Sequence, residues 1–127
     1  MAMSLCLARA ALSVVMATSE FTLAWTHSIE KTRWEEDWRV TPAGLELIEA
    51  RIRGSGAGME PPEGARWEAG AWHYRPALPP LPAFTLAASE FTADHELCIR
   101  QRCRVLADWL PASGPVRFTP CRLPLAP

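Results

Sequence analysis

Apolar and polar residues alternate along residues 21–40, FTLAWTHSIEKTRWEEDWRV, with a period of two. Successive side chains of an extended chain point to opposite faces. Phe21, Leu23, Trp25, His27 and Ile29 therefore share one face, and Trp34, Glu36, Trp38 and Val40 share one face in the second half. The two halves read as a β-hairpin. Pairing Trp25 with Trp38 sets Leu23 opposite Val40, His27 opposite Glu36 and Ile29 opposite Trp34, with Glu30, Lys31, Thr32 and Arg33 as the loop. A slip of one residue would carry Glu35 and Asp37 into the core, which the cost of burying charge opposes. In this reading His27 and Glu36 meet as an ion pair between indoles, while Thr26, Ser28, Glu35, Asp37 and Arg39 stay in water.

The pattern continues as strands. Thr41-Pro42-Ala43-Gly44 is a turn, and residues 45–52 form the third strand of a meander. Leu45 and Leu47 occupy one parity and Ile48, Ala50 and Ile52 the other, which predicts a bulge near residue 47. Trp67 on one side, and Trp72 with Tyr74 on the other, flank a second hairpin turn, and the proline-rich residues 76–82 form an extended connector. Residues 1–17 have two readings: a short secretory signal, or a first hairpin with its turn at Arg9-Ala10. Residues 122–127 read as a flexible tail. No amphipathic helical run appears, nor the ~20 apolar residues of a membrane-spanning helix. The expectation is one all-β domain over residues 1–127: a small antiparallel β barrel or sandwich of hairpins and meanders, with roughly eight to ten strands.

Composition narrows the function classes. Six tryptophans and twelve prolines against one tyrosine suit short strands punctuated by rigid turns. A net charge of −1 provides no basic footprint for nucleic acid. The glycine-rich segment Gly54-Ser55-Gly56-Ala57-Gly58-Met59 lacks the Lys-Ser/Thr ending of a P-loop and a following helix, so no nucleotide cofactor is expected. Its glycines permit positive φ, and its amides could face a carboxylate ligand.

The four cysteines form two candidate pairs. A two-residue turn at Arg100-Gln101 would set Cys98 opposite Cys103 in a non-hydrogen-bonded pair, about 4.5 Å apart at Cα. Cys6 and Cys121 remain as a bridge between terminal strands. Free thiols in a cytosolic protein are the alternative. No metal site is expected, because the cysteine spacing lacks a tight knuckle and neither His73 nor His95 sits at a ligand offset.

The run THSIEKTRWEEDWRV, the GSGAGMEPP segment and the later aromatic hairpin with LPPLP resemble the domain of unknown function 1850 family over most of the chain. The resemblance implies a small, β-rich bacterial protein, often encoded beside or fused to TRAP-type transporter components that have a TAXI-type extracytoplasmic binding protein. It carries over His27, Ser28, Glu30, Gly54, Gly56 and Gly58 as motif positions without assigned roles. Many members have an N-terminal apolar anchor, for which this chain offers only the segment before Thr18, so periplasmic and cytoplasmic placement both stay open.

Two functions follow as expectations. The first is a non-enzymatic accessory or ligand-binding module associated with TRAP/TAXI-type solute transport. Its candidate site is His27, Ser28, Glu30, Trp34, Glu36, Gly54, Gly56, Gly58 and Met59, and its partners are transporter components or a small molecule. The alternative is a small hydrolase or isomerase using His27 with a carboxylate as acid and base. Ser28 is no nucleophile for His27, since adjacent strand residues point to opposite faces.

Overall fold

The computed structural model describes residues 2–26, 32–53, 63–87 and 94–123. Among these residues lie eleven strands and one short helix, arranged as two antiparallel sheets in a sandwich-like all-β fold without a closed barrel. The small sheet has the order β2-β1-β11-β8, from β1 (Ala2–Arg9), β2 (Leu12–Met16), β8 (Phe84–Leu86) and β11 (Val116–Leu123). The large sheet has the order β10-β9-β3-β4-β5-β7-β6. Its members are β3 (Glu20–Thr26), β4 (Arg33–Thr41), β5 (Gly44–Arg53), β6 (Arg66–Glu68), β7 (Ala71–Tyr74), β9 (Glu96–Ile99) and β10 (Arg102–Val105). β1 and β2 form a hairpin: Leu5 and Leu7 of β1 are fully buried, and β1 lies between β2 and β11.

The β3–β4 register differs from the expectation by four residues. Trp25 faces Trp34, Leu23 faces Glu36 and Phe21 faces Trp38. A shift by an even number keeps every side chain on its expected face, so alternation alone cannot detect it. What decides it is ring pairing: Phe21 stacks on Trp38 with centroids 6.2 Å apart, and Trp25 stacks on Trp34, also at 6.2 Å. On the other face the Thr22 hydroxyl donates to Asp37 at 2.8 Å. Glu36 is therefore opposite Leu23 and Trp34 opposite Trp25, in place of the expected partners His27 and Ile29, which lie outside the described residues. Arg33, expected in the loop, is already in β4, opposite Thr26; Glu30 and Lys31 lie outside the described residues.

Other local features follow the sequence closely. The β4–β5 register shifts between Asp37, opposite Glu49, and Trp38, opposite Leu47, leaving Ile48 as the extra residue of a bulge. The bulge lets Leu45 and Leu47 share the core face with Ala50 and Ile52 despite their different parity. Ala69-Gly70 and Arg100-Gln101 form two-residue hairpin turns with positive φ at both positions. The connector crosses β5 at Leu81, whose amide and carbonyl both bond to Leu45, at 2.9 and 2.7 Å. Gly44 sits beneath it with φ +133°, and a Cβ there would lie 2.5 Å from the Leu81 carbonyl oxygen.

The core fills the space between the sheets. Leu5, Leu7, Val116 and Phe118 of the small sheet meet Phe21, Leu23, Trp38, Val40, Leu45, Leu47, Leu97 and Ile99 of the large one. Helix α1 (Leu106–Trp109) adds Leu106, and Leu110 follows one turn later, so both enter the same core. The sequence pattern did not reveal this helix because four residues are too few to show a helical period. The Asp94 carboxylate accepts from the Ala107 amide at 2.9 Å, and the Trp109 indole donates to the Leu97 carbonyl at 2.9 Å. Arg9, only 6% exposed, donates to the carbonyls of Gly114 at 2.9 Å and Leu110 at 3.5 Å, so its buried charge faces backbone dipoles.

Both disulfides are present. Cys6–Cys121 joins β1 to β11 across a sequence separation of 115, and Cys98–Cys103 joins β9 to β10 across 5. Loop-closure entropy makes them unequal: replacing both cysteines of the first pair by serine is expected to cost about 5 kcal/mol, and the same change in the second about 2 kcal/mol. Equal shifts in urea denaturation would contradict this assignment. A second prediction concerns Gly44. Gly44→Ala should destabilise by more than about 2 kcal/mol through collision with Leu81, whereas Gly70→Ala, where a Cβ meets open space, should cost only the ~1 kcal/mol of a left-handed backbone. Similar losses for both would mean that Leu81 yields.

Candidate functional site

Beyond the edge of the core, the inner face of the large sheet carries a half-buried aromatic surface. Trp34 and Glu36 of β4 reach it together because they are two residues apart on one strand. Trp25 lies on one side, stacked on Trp34 and 5.3 Å from the His95 ring. On the other side β5 presents Ala50 and Ile52, then β7 presents Trp72 and Tyr74, with Ala50 opposite both Glu36 and Tyr74. Trp67 of the terminal strand meets Trp72 edge-on at 5.3 Å and is half exposed.

Two polar atoms on this surface stand out. The Trp38 indole N–H donates to Glu36 Oε1 at 3.2 Å, and no cationic side chain among the described residues reaches that carboxylate. Burial pushes the Glu36 carboxyl above the ordinary carboxylate range, and the single indole donor offsets this only in part. The Trp34 Nε1–H is buried without an acceptor among the described residues. Burial, with the negative charge of Glu36 adding to it, also raises the Tyr74 phenol. Burial lowers the His95 imidazole, and the Asp94 charge opposes that shift. The surface thus offers an unpaired donor and an under-solvated acceptor among indoles.

The opposite face of the same sheet is polar, yet not simply solvated as the alternation implied. Glu35, 12% exposed at its side chain, accepts from Arg53 at 2.7 Å and from Arg51 and Arg33 at 3.3 Å each. Burial alone would raise its carboxyl; the three guanidiniums together outweigh burial and lower it. Asp37 behaves alike, with burial opposed by Arg51 and the Thr22 hydroxyl. Arg51 is held well above its usual value, chiefly by Asp37. Arg33 also reaches Glu96 through two bonds, at 3.3 and 3.4 Å. Next to this network His73 Nδ1 lies 2.5 Å from Glu49 Oε1, and its Nε2 lies 3.0 Å from the Glu68 carbonyl. A depression of about 520 Å³ opens on this face between Thr22, Asp37, Ile48, Arg51 and the Cys98–Cys103 bridge.

Of the residues expected from sequence to form a site, Trp34 and Glu36 are brought together on the inner face. His27, Ser28, Glu30, Gly54, Gly56, Gly58 and Met59 lie outside the described residues. Tyr74 and the ionic network were missed by sequence reasoning. Tyr74 reaches Glu36 only because β5 separates their strands by one position, and the network spans four strands whose order no local pattern encodes. Among the described residues, one group of three candidate metal ligands lies within 4.8 Å: Glu96, Cys98 and Cys103, two of which share a disulfide.

The opposite pKa directions yield opposite pH behaviour. A carboxyl raised by folding destabilises the fold as pH rises through the interval from its unfolded value, about 4.3, to its folded one. A carboxyl lowered by folding stabilises above its unfolded value and loses that contribution as pH falls. Glu36→Gln, which keeps the acceptor for Trp38, should therefore raise stability at pH 7, and the gain should vanish below about pH 4. Glu35→Gln should lower stability at pH 7 by about 1–3 kcal/mol, since it takes the charge partner from Arg53 and one of the carboxylates from Arg51 and Arg33, which keep Asp37 and Glu96. Denaturation curves at both pH values decide; Glu36→Gln costing more than Glu35→Gln would invert the assignment.

A family model described as Domain of unknown function (DUF1850) matches residues 21–106. The matched span contains the large sheet except Glu20, the first residue of β3, and only β8 of the small one. No curated protein and no solved structure matches the chain. The match covers more than half the chain, includes both Trp34 and Glu36, and places this protein in the DUF1850 family.

Proposed function

We propose that this chain is a non-enzymatic ligand-binding or accessory module, using the inner aromatic face around Trp34 and Glu36 and working beside a TRAP/TAXI-type solute transport system. The observation that carries the binding role is the pair of unmet hydrogen-bonding demands on one apolar surface. Among the described residues Glu36 meets no cation, and the buried Trp34 N–H meets no acceptor. Unpaired polar groups in low-dielectric surroundings are costly unless something completes them. A small organic molecule with an ammonium or other N–H donor for the carboxylate, an acceptor for the indole and an apolar body for Trp25 and Trp72 would do so. The link to transport rests on the family's gene associations.

An acid–base enzyme would need a histidine free to take and give protons. Of the two described histidines, His73 has both ring nitrogens engaged, by Glu49 and by the Glu68 carbonyl, and His95 lies against Trp25 on the proposed binding face. His27, the histidine of the alternative reading, is outside the described residues.

The test is a thermal-shift screen of small amines, amino acids and organic acids, followed by titration of tryptophan fluorescence. Amine-bearing ligands should raise Tm, and their affinity should fall at least about tenfold in Glu36→Gln, with a smaller loss in Trp34→Phe. Binding indifferent to both substitutions, or confined to simple anions, would remove the inner face as the site.

A further inference from the structure

We propose that the Cys98–Cys103 bridge is a thiol-exchange site, opened and closed by dithiol-bearing partners while the fold persists, whereas Cys6–Cys121 is a structural staple. The first support is redundancy. Cys98 and Cys103 face each other across a two-residue turn whose residues, Arg100 and Gln101, both adopt positive φ, so the turn geometry brings the cysteines together without the bond. Cleaving it releases almost no chain. Cys6 and Cys121, by contrast, fasten strands from opposite ends of the sequence.

The second support is access. Cys103 is exposed on β10, the edge strand of the large sheet, with no strand beyond it. Cys98 and Cys103 both line the outer-face depression, which gives an incoming thiol a place to sit beside the sulfurs. Cys6 and Cys121 are half-buried, as Cys98 is, and Cys6 lines a smaller depression of about 290 Å³; what sets the Cys98–Cys103 bridge apart is the exposed Cys103 on an edge strand, whereas Cys6 lies on a strand flanked by β2 and β11.

The third support is charge. Arg100, Arg102 and Arg104 are exposed around the bridge, and none is ion-paired among the described residues; Arg100 donates only to the Ala17 carbonyl, at 2.8 Å. Cationic surroundings favour thiolate over thiol, which aids its departure as a leaving group and attracts an anionic attacking thiol.

The chemistry balances with a dithiol as reductant. One thiol releases its proton to water, and its thiolate attacks Cys103 Sγ. The Cys98–Cys103 bond breaks, and Cys98 leaves as a thiolate. The reductant's second thiol passes its proton to Cys98 and attacks its own partner sulfur in the mixed disulfide. Cys103 departs as a thiolate and takes a proton from water. Two electrons pass to the protein, and the dithiol becomes a disulfide; the reverse sequence closes the bridge.

The test equilibrates the folded, oxidised protein with graded ratios of reduced to oxidised dithiothreitol, blocks free thiols with N-ethylmaleimide, and maps the label by peptide mass. Cys98 and Cys103 should be labelled together at a ratio at least about tenfold lower than Cys6 and Cys121, with the circular-dichroism spectrum unchanged. Joint reduction of both bridges, prior reduction of Cys6–Cys121, or loss of the spectrum on opening Cys98–Cys103 overturns the proposal. A kinetic arm compares glutathione, an anionic thiol, with neutral 2-mercaptoethanol. Arg102→Glu with Arg104→Glu should lower the glutathione-to-mercaptoethanol rate ratio at least about threefold at low salt. An unchanged ratio overturns the role given to the arginines. Serine at both 98 and 103 tests the redundancy: the double variant should keep the wild-type spectrum, and failure to fold overturns the claim that the turn holds without the bond.

Discussion

Two sheets that share no strand are held together by four aromatic rings. Phe84 of β8 and Phe118 of β11 stack at 4.7 Å, Phe84 meets Trp38 at 4.8 Å, and Phe21 closes the group against Phe118 at 5.7 Å and Trp38 at 6.2 Å. Each such contact contributes about 0.5–1.5 kcal/mol beyond the area it removes from water. The geometric effect matters more. Seating Trp38 against Phe21 selects the β3–β4 register, and that register fixes where Glu36 and Trp34 stand, two and four positions along the same strand. The candidate binding face is therefore positioned by packing in a different part of the sandwich. Because the rings come from strands at both ends of the chain, this joint forms only when distant segments meet.

That dependence explains what could be read in the sequence. A period of two assigns each residue to a face, so the apolar and polar faces of β3 and β4 were legible, as was the all-β class. The bulge was legible because an inserted residue breaks parity, and Leu47 followed by Ala50 shows the break directly. Register was not, because Trp25 opposite Trp34 and Trp25 opposite Trp38 satisfy the same parity. The register as found sets Leu23 opposite Glu36 and still leaves Glu36 on its predicted face. The Cys98 and Cys103 pairing was accessible for a local reason: a two-residue turn leaves a single way to close. The network around Glu35 was opaque, since its arginines come from β4 and β5 and its acids from β4, β5 and β9. Read along the chain, those charges look solvated; read across the sheet, they neutralise one another.

The two faces of the large sheet divide the work. Every carboxylate of the outer network has a guanidinium or imidazole against it, and such saturated rows rigidify a surface more than they bind. On the inner face, among the described residues, the carboxylate of Glu36 meets only an indole. The span matched by the family contains this sheet but for Glu20, so the aromatic face and its acidic group lie within the family's unit, while the β1–β2 hairpin and β11 form a cover outside it. Of the two aromatic groups, then, one serves as a joint and the other as a surface.

The Cys6–Cys121 bond also has a mechanical meaning. β1 and β11 run antiparallel side by side, with Ala2 opposite Leu123. Tension that entered the domain along β1 and left along β11 would be carried by the covalent link between residues 6 and 121. The sandwich between those positions, including the aromatic face, would hang from that link as an unloaded body. Traction on the polypeptide would then neither shear the sheets apart nor be sensed at Glu36.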